Sequence, residues 1–279
     1  MPAIAAIDIG SNAMRMLIGN VDQTQIIDMV ERGREPVRLG QDTFSTGLIS
    51  DQSVERAIGA LDRFRKAMEK RGVVHSRIVA TSAMREASNH EAVIEKIHKS
   101  LGMKIDVVGA EEEARLIHLA VGHEIKAQKK LALLVDIGGG SVEITRSANG
   151  QVVSIASFTL GTVRLMCLLK EKSRDENQFN QLVHEYVRSM RNILKKEIGD
   201  QKIDLCIGTG GNIESMGDLR KSLLGKDSNA VITAEELNLL VKKLRNSSFD
   251  DRLKDMGLRP DRADVIVPAA IVLQRIVKQ

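Results

Sequence analysis

The sequence predicts an α/β protein made of two related halves, and three observations lead to this prediction. An apolar run at residues 3–9 ends in Asp-Ile-Gly-Ser-Asn, and a second run at residues 131–137 ends in Asp-Ile-Gly-Gly-Gly-Ser. Such runs are typical of buried strands that enter tight turns. Each run is followed by two strand-like segments and then by helical patterns. The repeat favours a duplicated α/β domain with a cleft between the copies, since ligands often bind in such clefts.

The first half, residues 1–124, is predicted to begin with a three-stranded unit. After the first strand, residues 14–19 and 25–30 are expected to form two antiparallel neighbours. Apolar residues at near-helical spacing predict a helix over residues 53–71. Further strands are predicted at 78–81 and 105–108, and further helices at 89–100 and 111–123.

The second half, residues 125–279, begins with a polar segment at 126–130 that is interpreted as the linker region. After the second apolar run, strands are predicted at residues 142–146, 152–160 and 205–207. Helices are predicted at 176–198, 212–219, 233–246 and 263–277.

Composition limits the classes of function. The chain has 279 residues, enough for two domains of ordinary size, and a formal net charge of +4. Aromatic residues make up 2 %, which argues against nucleic-acid recognition by base stacking and fits a ligand that is mostly phosphate. No apolar run approaches the roughly 20 residues of a membrane span, and no leader-like segment begins the sequence. Cys167 and Cys206 are interpreted as buried free thiols, which predicts the cytoplasm.

The paired Asp-Ile-Gly loops predict a phosphate site with a metal ion. Glycines let the backbone approach an anion closely, and successive N–H groups form an anion nest. The candidate phosphate-binding residues are Ser11 and Asn12 in the first loop and Gly138, Gly139, Gly140 and Ser141 in the second. Asp8 and Asp136 would repel phosphate, but they can hold Mg²⁺, which then bridges to it. A simple hairpin turn is the alternative, and two loops in matched positions make it the weaker reading.

A third glycine-rich turn and one arginine extend the predicted phosphate site. Residues 208–211, Gly208, Thr209, Gly210 and Gly211, lie between a predicted strand and a predicted helix, and helix N-termini attract anions. A turn that requires positive φ is the alternative. Arg85 follows a short strand and could grip phosphate through two hydrogen bonds; a surface arginine is the equal alternative.

Acidic residues supply candidates for a general base. Residues 111–113 are three glutamates at the beginning of a predicted helix, where acids also favour the helix dipole. Glu143 leaves the second loop on a strand whose alternation puts it on the same face as Ser141. A base of this kind would deprotonate water for attack on phosphorus. Arg188, Arg191 and Lys195 recur at helical spacing, and a solvated helix face is favoured over a track for a polyanion.

Seven motifs, in order, closely resemble the exopolyphosphatase / guanosine pentaphosphate phosphohydrolase family. They are AAIDIGSN, VATSAMREA, GAEEEARLI, LLVDIGGGSVEI, LGTVRL, IGTGGNIE and RADVIVPAA. The resemblance runs over essentially the whole chain. It implies two ribonuclease-H-like domains of the actin/Hsp70/sugar-kinase superfamily, with the active site in the cleft between them.

The resemblance also implies residue roles. It makes Glu113 the catalytic base, assigns Asp8, Asp136 and Glu143 to the metal, with Glu143 also catalytic, and assigns Arg85 and the three loops to phosphate. The implied cofactor is Mg²⁺, with Mn²⁺ as the alternative. The implied partners are polyphosphate or guanosine penta/tetraphosphate, with no nucleic acid and no membrane, and a homodimer is left open.

The sequence departs from the family pattern at two places. Ala13, Met14 and Arg15 follow Asn12 where the family often has a further hydroxyl residue. The chain also ends at Gln279, before the family's usual closing segment, which is expected to indicate a shortened form.

Exopolyphosphatase activity is the favoured function. The alternatives are a pppGpp 5′-phosphohydrolase that forms ppGpp and a non-catalytic polyphosphate or alarmone sensor. A sugar kinase is weaker, because the EEAR motif belongs to the hydrolases.

Overall fold

A computed structural model describes residues 2–22, 27–126, 131–189, 191–198 and 203–278. The chain divides into two compact units, Met1–Ala110 and Glu111–Gln279. This division precedes the boundary predicted at residues 124 and 125, because the helix that begins at Ala110 packs on the second sheet. The cleft predicted between the halves stays a prediction.

The first unit contains a five-stranded mixed sheet in the order β3-β2-β1-β4-β5. Its strands are β1 (Ala3–Ile9), β2 (Met14–Val21), β3 (Ile27–Glu35), β4 (Val73–Ala80) and β5 (Asp106–Val107). β1, β2 and β3 are antiparallel neighbours, whereas β4 pairs parallel to β1 and β5 parallel to β4. This order and these directions are those of a ribonuclease-H-like domain.

Helices complete the core of the first unit. They are α1 (Leu39–Thr46), α2 (Asp51–Lys70), α3 (Ser82–Glu86) and α4 (His90–Leu101). α2 begins where the Ser50 side chain accepts a hydrogen bond from the Ser53 N–H group, which satisfies one of the donors left open at a helix N-terminus. Its apolar residues recur at helical spacing, so that Val54, Ala57 and Leu61 are buried against the sheet residues Ile7 and Met16 in one core cluster.

The second unit contains a four-stranded sheet in the order β8-β7-β6-β9. Its strands are β6 (Leu131–Ile137), β7 (Val142–Ala148), β8 (Gln151–Phe158) and β9 (Leu205–Thr209). β6, β7 and β8 are antiparallel neighbours and β9 is parallel to β6, so this sheet repeats the first four strands of the other. Asn149 and Gly150 both have positive φ, at 52° and 79°, as a tight two-residue hairpin requires. The predicted α/β fold class with two related sheets is therefore confirmed.

The helices of the second unit surround one apolar core. They are α5 (Ala110–Lys126), α6 (Thr162–Lys170), α7 (Glu176–Ser189), α8 (Arg191–Ile198), α9 (Gly211–Leu224), α10 (Ala234–Arg245), α11 (Phe249–Lys254), α12 (Pro260–Ala263) and α13 (Ile266–Val277). α13 is almost entirely buried, and it shares a core cluster with the β6 residues Leu133, Val135 and Ile137. That cluster covers one face of β6 and leaves Asp136 on the other.

Several helices differ from the sequence prediction. α1, α3, α6 and α11 were not predicted. The helix predicted over residues 176–198 is described as α7 and α8, and residue 190 between them lies outside the described residues. The helix predicted over 263–277 is two helices, α12 and α13.

The cysteine prediction is partly wrong. Neither cysteine forms a disulfide bond, but Cys206 is exposed and Cys167 is only partly buried. β9, which carries Cys206, is an edge strand of the second sheet as the described residues form it. Among the described residues, no helix is both long and apolar enough to cross a membrane. The cytoplasmic location stays a prediction.

Candidate active site

The second glycine-rich loop, residues 138–141, is held from one side by the beginning of α6. The Gly138 carbonyl accepts from the Thr162 N–H group at 3.1 Å, and the Gly139 carbonyl accepts from Val163 and Arg164 at 2.9 and 3.1 Å. The Gly140 carbonyl accepts from Nε of Arg164 at 2.8 Å. Three successive carbonyl groups of the loop therefore point toward α6.

This arrangement turns the N–H groups of the loop the other way. In a trans peptide the C=O and the following N–H lie in one plane and point in opposite directions, and the described chain has no cis peptide bond. The N–H groups of Gly139, Gly140 and Ser141 are therefore directed away from α6. Successive backbone N–H groups of a glycine-rich loop can form an anion-binding nest.

Gly161 allows α6 to approach the loop so closely. A Cβ atom at residue 161 would lie 2.1 Å from the Gly140 carbonyl carbon and 2.4 Å from the Ser141 nitrogen. Both are backbone atoms, so neither can turn aside as a flexible side chain could. A residue without a side chain is therefore required here.

The first loop, residues 10–13, repeats this design. The Gly10 N–H group donates to the Ala13 carbonyl at 3.2 Å, as Gly138 donates to Ser141 at 3.0 Å in the second loop. At the beginning of α1, the Gly40 N–H group donates to the Ser11 carbonyl at 2.8 Å, and Arg38 donates to that of Asn12 at 3.1 Å. By the same argument, the N–H groups of Asn12 and Ala13 point away from α1.

Ser11 brings a buried hydroxyl group to the first loop. Its side chain is 3 % exposed, and within the described ranges Oγ has no hydrogen-bond partner. A buried hydroxyl group without a partner costs free energy. A phosphate oxygen could supply that partner, which agrees with the predicted role of Ser11.

A row of four polar residues crosses the second sheet in register. Glu143 on β7 lies opposite Asp136 on β6 and opposite Ser157 on β8, while Asp136 lies beside Thr209 on β9. The Thr209 hydroxyl donates to Oδ1 of Asp136 at 2.7 Å, and the Ser157 hydroxyl donates to Oε1 of Glu143 at 3.0 Å. Directly paired residues on antiparallel strands project from the same face, so two carboxylates stand side by side next to the second loop.

The third loop, residues 208–211, supports this row. Gly210 has φ of +85°, and a Cβ atom there would lie 2.7 Å from Oδ1 of Asp136. The alternative weighed for this loop, a turn that requires positive φ, is therefore present at Gly210. Thr209 contacts Asp136 through its hydroxyl group, whereas its predicted role in phosphate binding stays a prediction, as do those of Gly208 and Gly211.

Asp8 has a different partner from Asp136. In the first sheet it lies opposite Arg15 on β2, and Arg15 in turn lies opposite Arg34 on β3. The position that holds a glutamate in the second sheet thus holds an arginine in the first. This part of the first site is richer in positive charge than its counterpart.

The described residues fit a hard cation such as Mg²⁺ at Asp136 and Glu143. Carboxylate and hydroxyl oxygens are the ligands that Mg²⁺ prefers, and it is often bound by one or two carboxylates and several waters. Two adjacent carboxylates also repel each other unless a cation or a proton intervenes. No group of three or more carboxylate, histidine or cysteine side chains with metal-binding geometry occurs among the residues described, so the predicted three-carboxylate set with Asp8 stays a prediction.

The three glutamates at the beginning of α5 have different surroundings. Glu112 is bound by Arg115 through two hydrogen bonds of 2.6 and 2.9 Å, and Glu111 is exposed. Glu113 is half-buried and lies four residues before Ile117. Residues four apart share a helix face, so Glu113 lies on the face that Ile117 presents.

That face of α5 packs on the second sheet. An apolar cluster joins the two, and its members are Ile117, Val121, Ala132, Leu134, Leu205 and Ile207. Only four residues separate the end of α5 from the beginning of β6, so five Cα–Cα steps limit their separation to about 18 Å. A helix that runs back along β6 from residue 126 covers about 20 Å by residue 113, so Glu113 is expected at the end of the sheet that carries Asp136, and its role as the base stays a prediction.

One N–H group of the Arg85 side chain is used in a hydrogen bond to the protein backbone. Its Nη1 atom donates to the Val108 carbonyl at 2.6 Å. A guanidinium group has five N–H donors, so this bond is compatible with a phosphate contact. The predicted phosphate role of Arg85 stays a prediction.

Some residues of the second unit were not singled out from the sequence as site residues. Arg164 and Thr162 hold the second loop, and Asn212 donates to the Ile137 carbonyl at 3.0 Å. They occur in the motifs LGTVRL and IGTGGNIE, which carried the family resemblance. The motifs therefore marked these positions, but their hydrogen bonds depend on distant segments.

Relatives of known name match most of the chain. A guanosine-5′-triphosphate,3′-diphosphate pyrophosphatase of Aliivibrio fischeri is 28 % identical over 271 residues, which is 97 % of this chain and 53 % of that protein. Exopolyphosphatase 1 of Mycobacterium bovis is 26 % identical over 282 residues, covering 97 % of this chain and 80 % of that one. The chain thus spans about half the length of the first of these relatives.

Solved structures share the fold. A crystal structure of an exopolyphosphatase from Cytophaga hutchinsonii superposes with a TM-score of 0.87 at 25 % identity, over 99 % of this chain and 90 % of the other. The Aquifex aeolicus member of the Ppx/GppA family gives 0.79 at 23 % identity, with 99 % and 90 % covered. The family model described as the Ppx/GppA phosphatase family matches residues 17–279. The chain belongs to the Ppx/GppA phosphatase family.

Proposed function

We propose that this protein is an exopolyphosphatase, which releases terminal orthophosphate from inorganic polyphosphate with Mg²⁺. The observation that supports this most is the second loop, whose three glycine carbonyl groups are bound by α6 and whose N–H groups point the other way. Such a nest binds phosphate oxygens without selecting the group behind them. A substrate that consists only of phosphate suits it.

Each part of the candidate site has a task in this reaction. The N–H groups of the second loop would bind oxygens of the terminal phosphate, and the buried Ser11 hydroxyl would bind phosphate at the first loop. Asp136 and Glu143 would hold Mg²⁺, whose charge offsets that of the phosphate oxygens. Thr209 and Ser157 orient these two carboxylates by donating to one oxygen of each.

Glu113 would act as the general base. It takes a proton from water while the water oxygen attacks phosphorus in line with the bridging oxygen. The bond from phosphorus to the bridging oxygen breaks, so that orthophosphate and a shortened chain leave. Glu112 cannot take this role without giving up its two hydrogen bonds to Arg115.

A pppGpp phosphohydrolase is the second candidate function. The Aliivibrio fischeri relative, at 28 % identity, is named for a guanosine triphosphate diphosphate substrate. The bond that breaks is of the same type, so the same loops and carboxylates would serve. Phosphate release from polyphosphates of several lengths and from pppGpp, measured side by side, discriminates the two. Tight binding of either ligand without release would indicate a sensor.

Replacement of Glu113 tests the assignment of the base. We expect Glu113→Gln to lower kcat by about 10² to 10⁴-fold, the usual contribution of general base catalysis. Glu112→Gln is the matched control, because it changes the neighbouring carboxylate, and it should keep most of the wild-type rate. A wild-type rate in Glu113→Gln would remove Glu113 from the mechanism.

Removal of divalent cations tests the metal proposal. EDTA should abolish phosphate release, and added Mg²⁺ should restore it, with Mn²⁺ as the alternative cation. Asp136→Asn should raise the Mg²⁺ concentration needed for half-maximal rate, since it removes one of two adjacent negative charges. Undiminished release in EDTA would exclude a dissociable metal ion.

A further inference from the structure

A buried side-chain amide lies behind the second loop. Asn212, in the first turn of α9, is 3 % exposed. Its Nδ2 group donates to the Ile137 carbonyl at 3.0 Å and contacts Oγ1 of Thr162 at 3.5 Å. Ile137 lies between Asp136 and Gly138. The Asn212 amide therefore holds the backbone between the carboxylate of Asp136 and the first residue of the second loop.

The orientation of this amide is fixed by Arg262. Arg262 is 4 % exposed, and its Nη1 atom donates to Oδ1 of Asn212. An arginine offers only donors, so the atom of Asn212 that faces it must be the oxygen. The NH₂ group of Asn212 must then face Ile137, which also needs a donor. The arginine thereby decides which end of the amide reaches the loop.

The Ile137 carbonyl controls the geometry of the loop because it shares a peptide plane with the Gly138 N–H group. That N–H group closes the loop by donating to the Ser141 carbonyl at 3.0 Å. Loss of the Asn212 bond would free this plane to rotate. The rotation would move the first N–H groups of the nest and the neighbouring Asp136.

We propose that Arg262 is a positioning residue, which acts through Asn212 to hold the second loop in its anion-binding conformation. The expected loss of phosphate release rests on the proposed function. The expected change in the conformation of the second loop does not. Arg262 lies in the motif RADVIVPAA, outside all three glycine-rich loops. It does not need to touch substrate to affect the reaction.

Three variants test this role. Asn212→Asp keeps the shape and an acceptor for Arg262, but it places a carboxylate oxygen against the Ile137 carbonyl, where the two repel. Arg262→Met removes the donor, and Arg262→Lys retains one donor and should rescue part of the effect. Arg220→Lys is the control. Arg220 is a nearly buried arginine on α9, the helix that carries Asn212, but it binds Glu236.

The first measurement does not need turnover. In ¹H–¹⁵N spectra of the full chain, Asn212→Asp and Arg262→Met should shift the amide resonances of Gly139, Gly140 and Ser141 and weaken their response to inorganic phosphate. Arg220→Lys should leave these resonances in place, although it lowers the melting temperature. Unshifted loop resonances in Asn212→Asp would overturn the proposal, even if Arg262→Met fails to fold.

The second measurement is phosphate release. We expect kcat/KM to fall about 10- to 100-fold in Asn212→Asp and Arg262→Met, the range seen when an outer partner of a functional group is lost, and to recover partly in Arg262→Lys. Equal losses in Arg220→Lys would show a merely structural role and overturn the proposal. A wild-type protein without phosphate release would refute the proposed function alone, because the amide spectra decide the positioning role independently.

Discussion

At the scale of single residues, the candidate site depends on which backbone groups of the second loop are already hydrogen-bonded within the protein. α6 binds the carbonyl groups of the second loop through the N–H groups of Thr162, Val163 and Arg164. The first donors of a helix have no partner within the helix, so the two elements satisfy each other. The loop is therefore held in place by the fold, before any ligand arrives.

Gly161 offers a direct test of this support. We expect Gly161→Ala to lower phosphate release about 100-fold, comparable to the loss of one oxyanion donor, because the added Cβ must displace Gly140 and Ser141. Overpacking of this kind also costs about 1–3 kcal/mol of stability. Initial rates and thermal unfolding measure the two effects.

Gly59→Ala is the control for that variant. A Cβ atom at residue 59, in α2, would meet only the Arg63 side chain at 3.7 Å. Alanine favours a helix over glycine by about 1 kcal/mol, so this variant should be at least as stable as the wild type and equally active. A Gly161→Ala variant as active as Gly59→Ala would contradict the proposed support.

The sequence is most informative where neighbouring residues along the chain carry the pattern. Asp136 and Glu143 flank a run of glycines, and their pairing follows from the hairpin that joins β6 to β7. Arg262 and Asn212 are 50 positions apart, and nothing local indicates that they meet. Their contact depends on how α9 and α12 pack, which no short pattern encodes.

At the scale of elements, the strands and the amphipathic helices were the predictable part. α2 was predicted within a few residues because its buried positions repeat at helical spacing. α6 was missed because Thr162–Lys170 is mostly apolar and directly follows a strand, so periodicity cannot distinguish its two faces. α1 was missed because its N-cap, Arg38, is not a usual capping residue and has a left-handed φ of 59°.

The connection between α9 and α10 predicts an effect of pH on stability. Glu236 caps α10 together with Thr233 and binds Arg220 at 2.7 Å. The Arg220 hydrogen bonds, followed by that from the Thr233 backbone, lower the pKa of Glu236 from 4.5 to about 2. Its stabilising contribution is therefore complete above pH 4.5 and is lost as the pH falls through 2.

Melting temperatures of the wild type and Glu236→Gln test this effect. The difference between them should be largest near pH 6 and should shrink steadily below pH 4.5. Glu235→Gln changes the exposed neighbour and should match the wild type at each pH. A difference that does not depend on pH would mean that the charge of Glu236 contributes nothing.

At the scale of the whole molecule, the repeat was predictable and the substrate was not. Both sheets share the order of their first four strands, and both glycine-rich loops are closed and supported in the same way. These features follow from two matched Asp-Ile-Gly segments. Polyphosphate and pppGpp present the same terminal phosphate to such loops, so the choice between them depends on contacts that the motifs do not describe.

Ionic strength separates the two substrates through the charge of the chain. The formal net charge is +4, and long polyphosphate carries more negative charge than pppGpp. Salt screens attraction between charges beyond about 10 Å at 0.1 M. We therefore expect KM for long polyphosphate to rise more steeply with salt than KM for pppGpp. Equal slopes would show that binding involves only the terminal phosphates.

The bound carbonyl groups of the second loop have a consequence for how the proposed activity is assayed. Because hydrogen bonds from α6 already hold the loop, we expect little ordering entropy to oppose the capture of a small tetrahedral anion. Orthophosphate, the product of the proposed reaction, is such an anion, and so is sulfate. If the proposed activity is correct, we therefore expect product inhibition at this loop, and activity measured in phosphate or sulfate buffers would be underestimated.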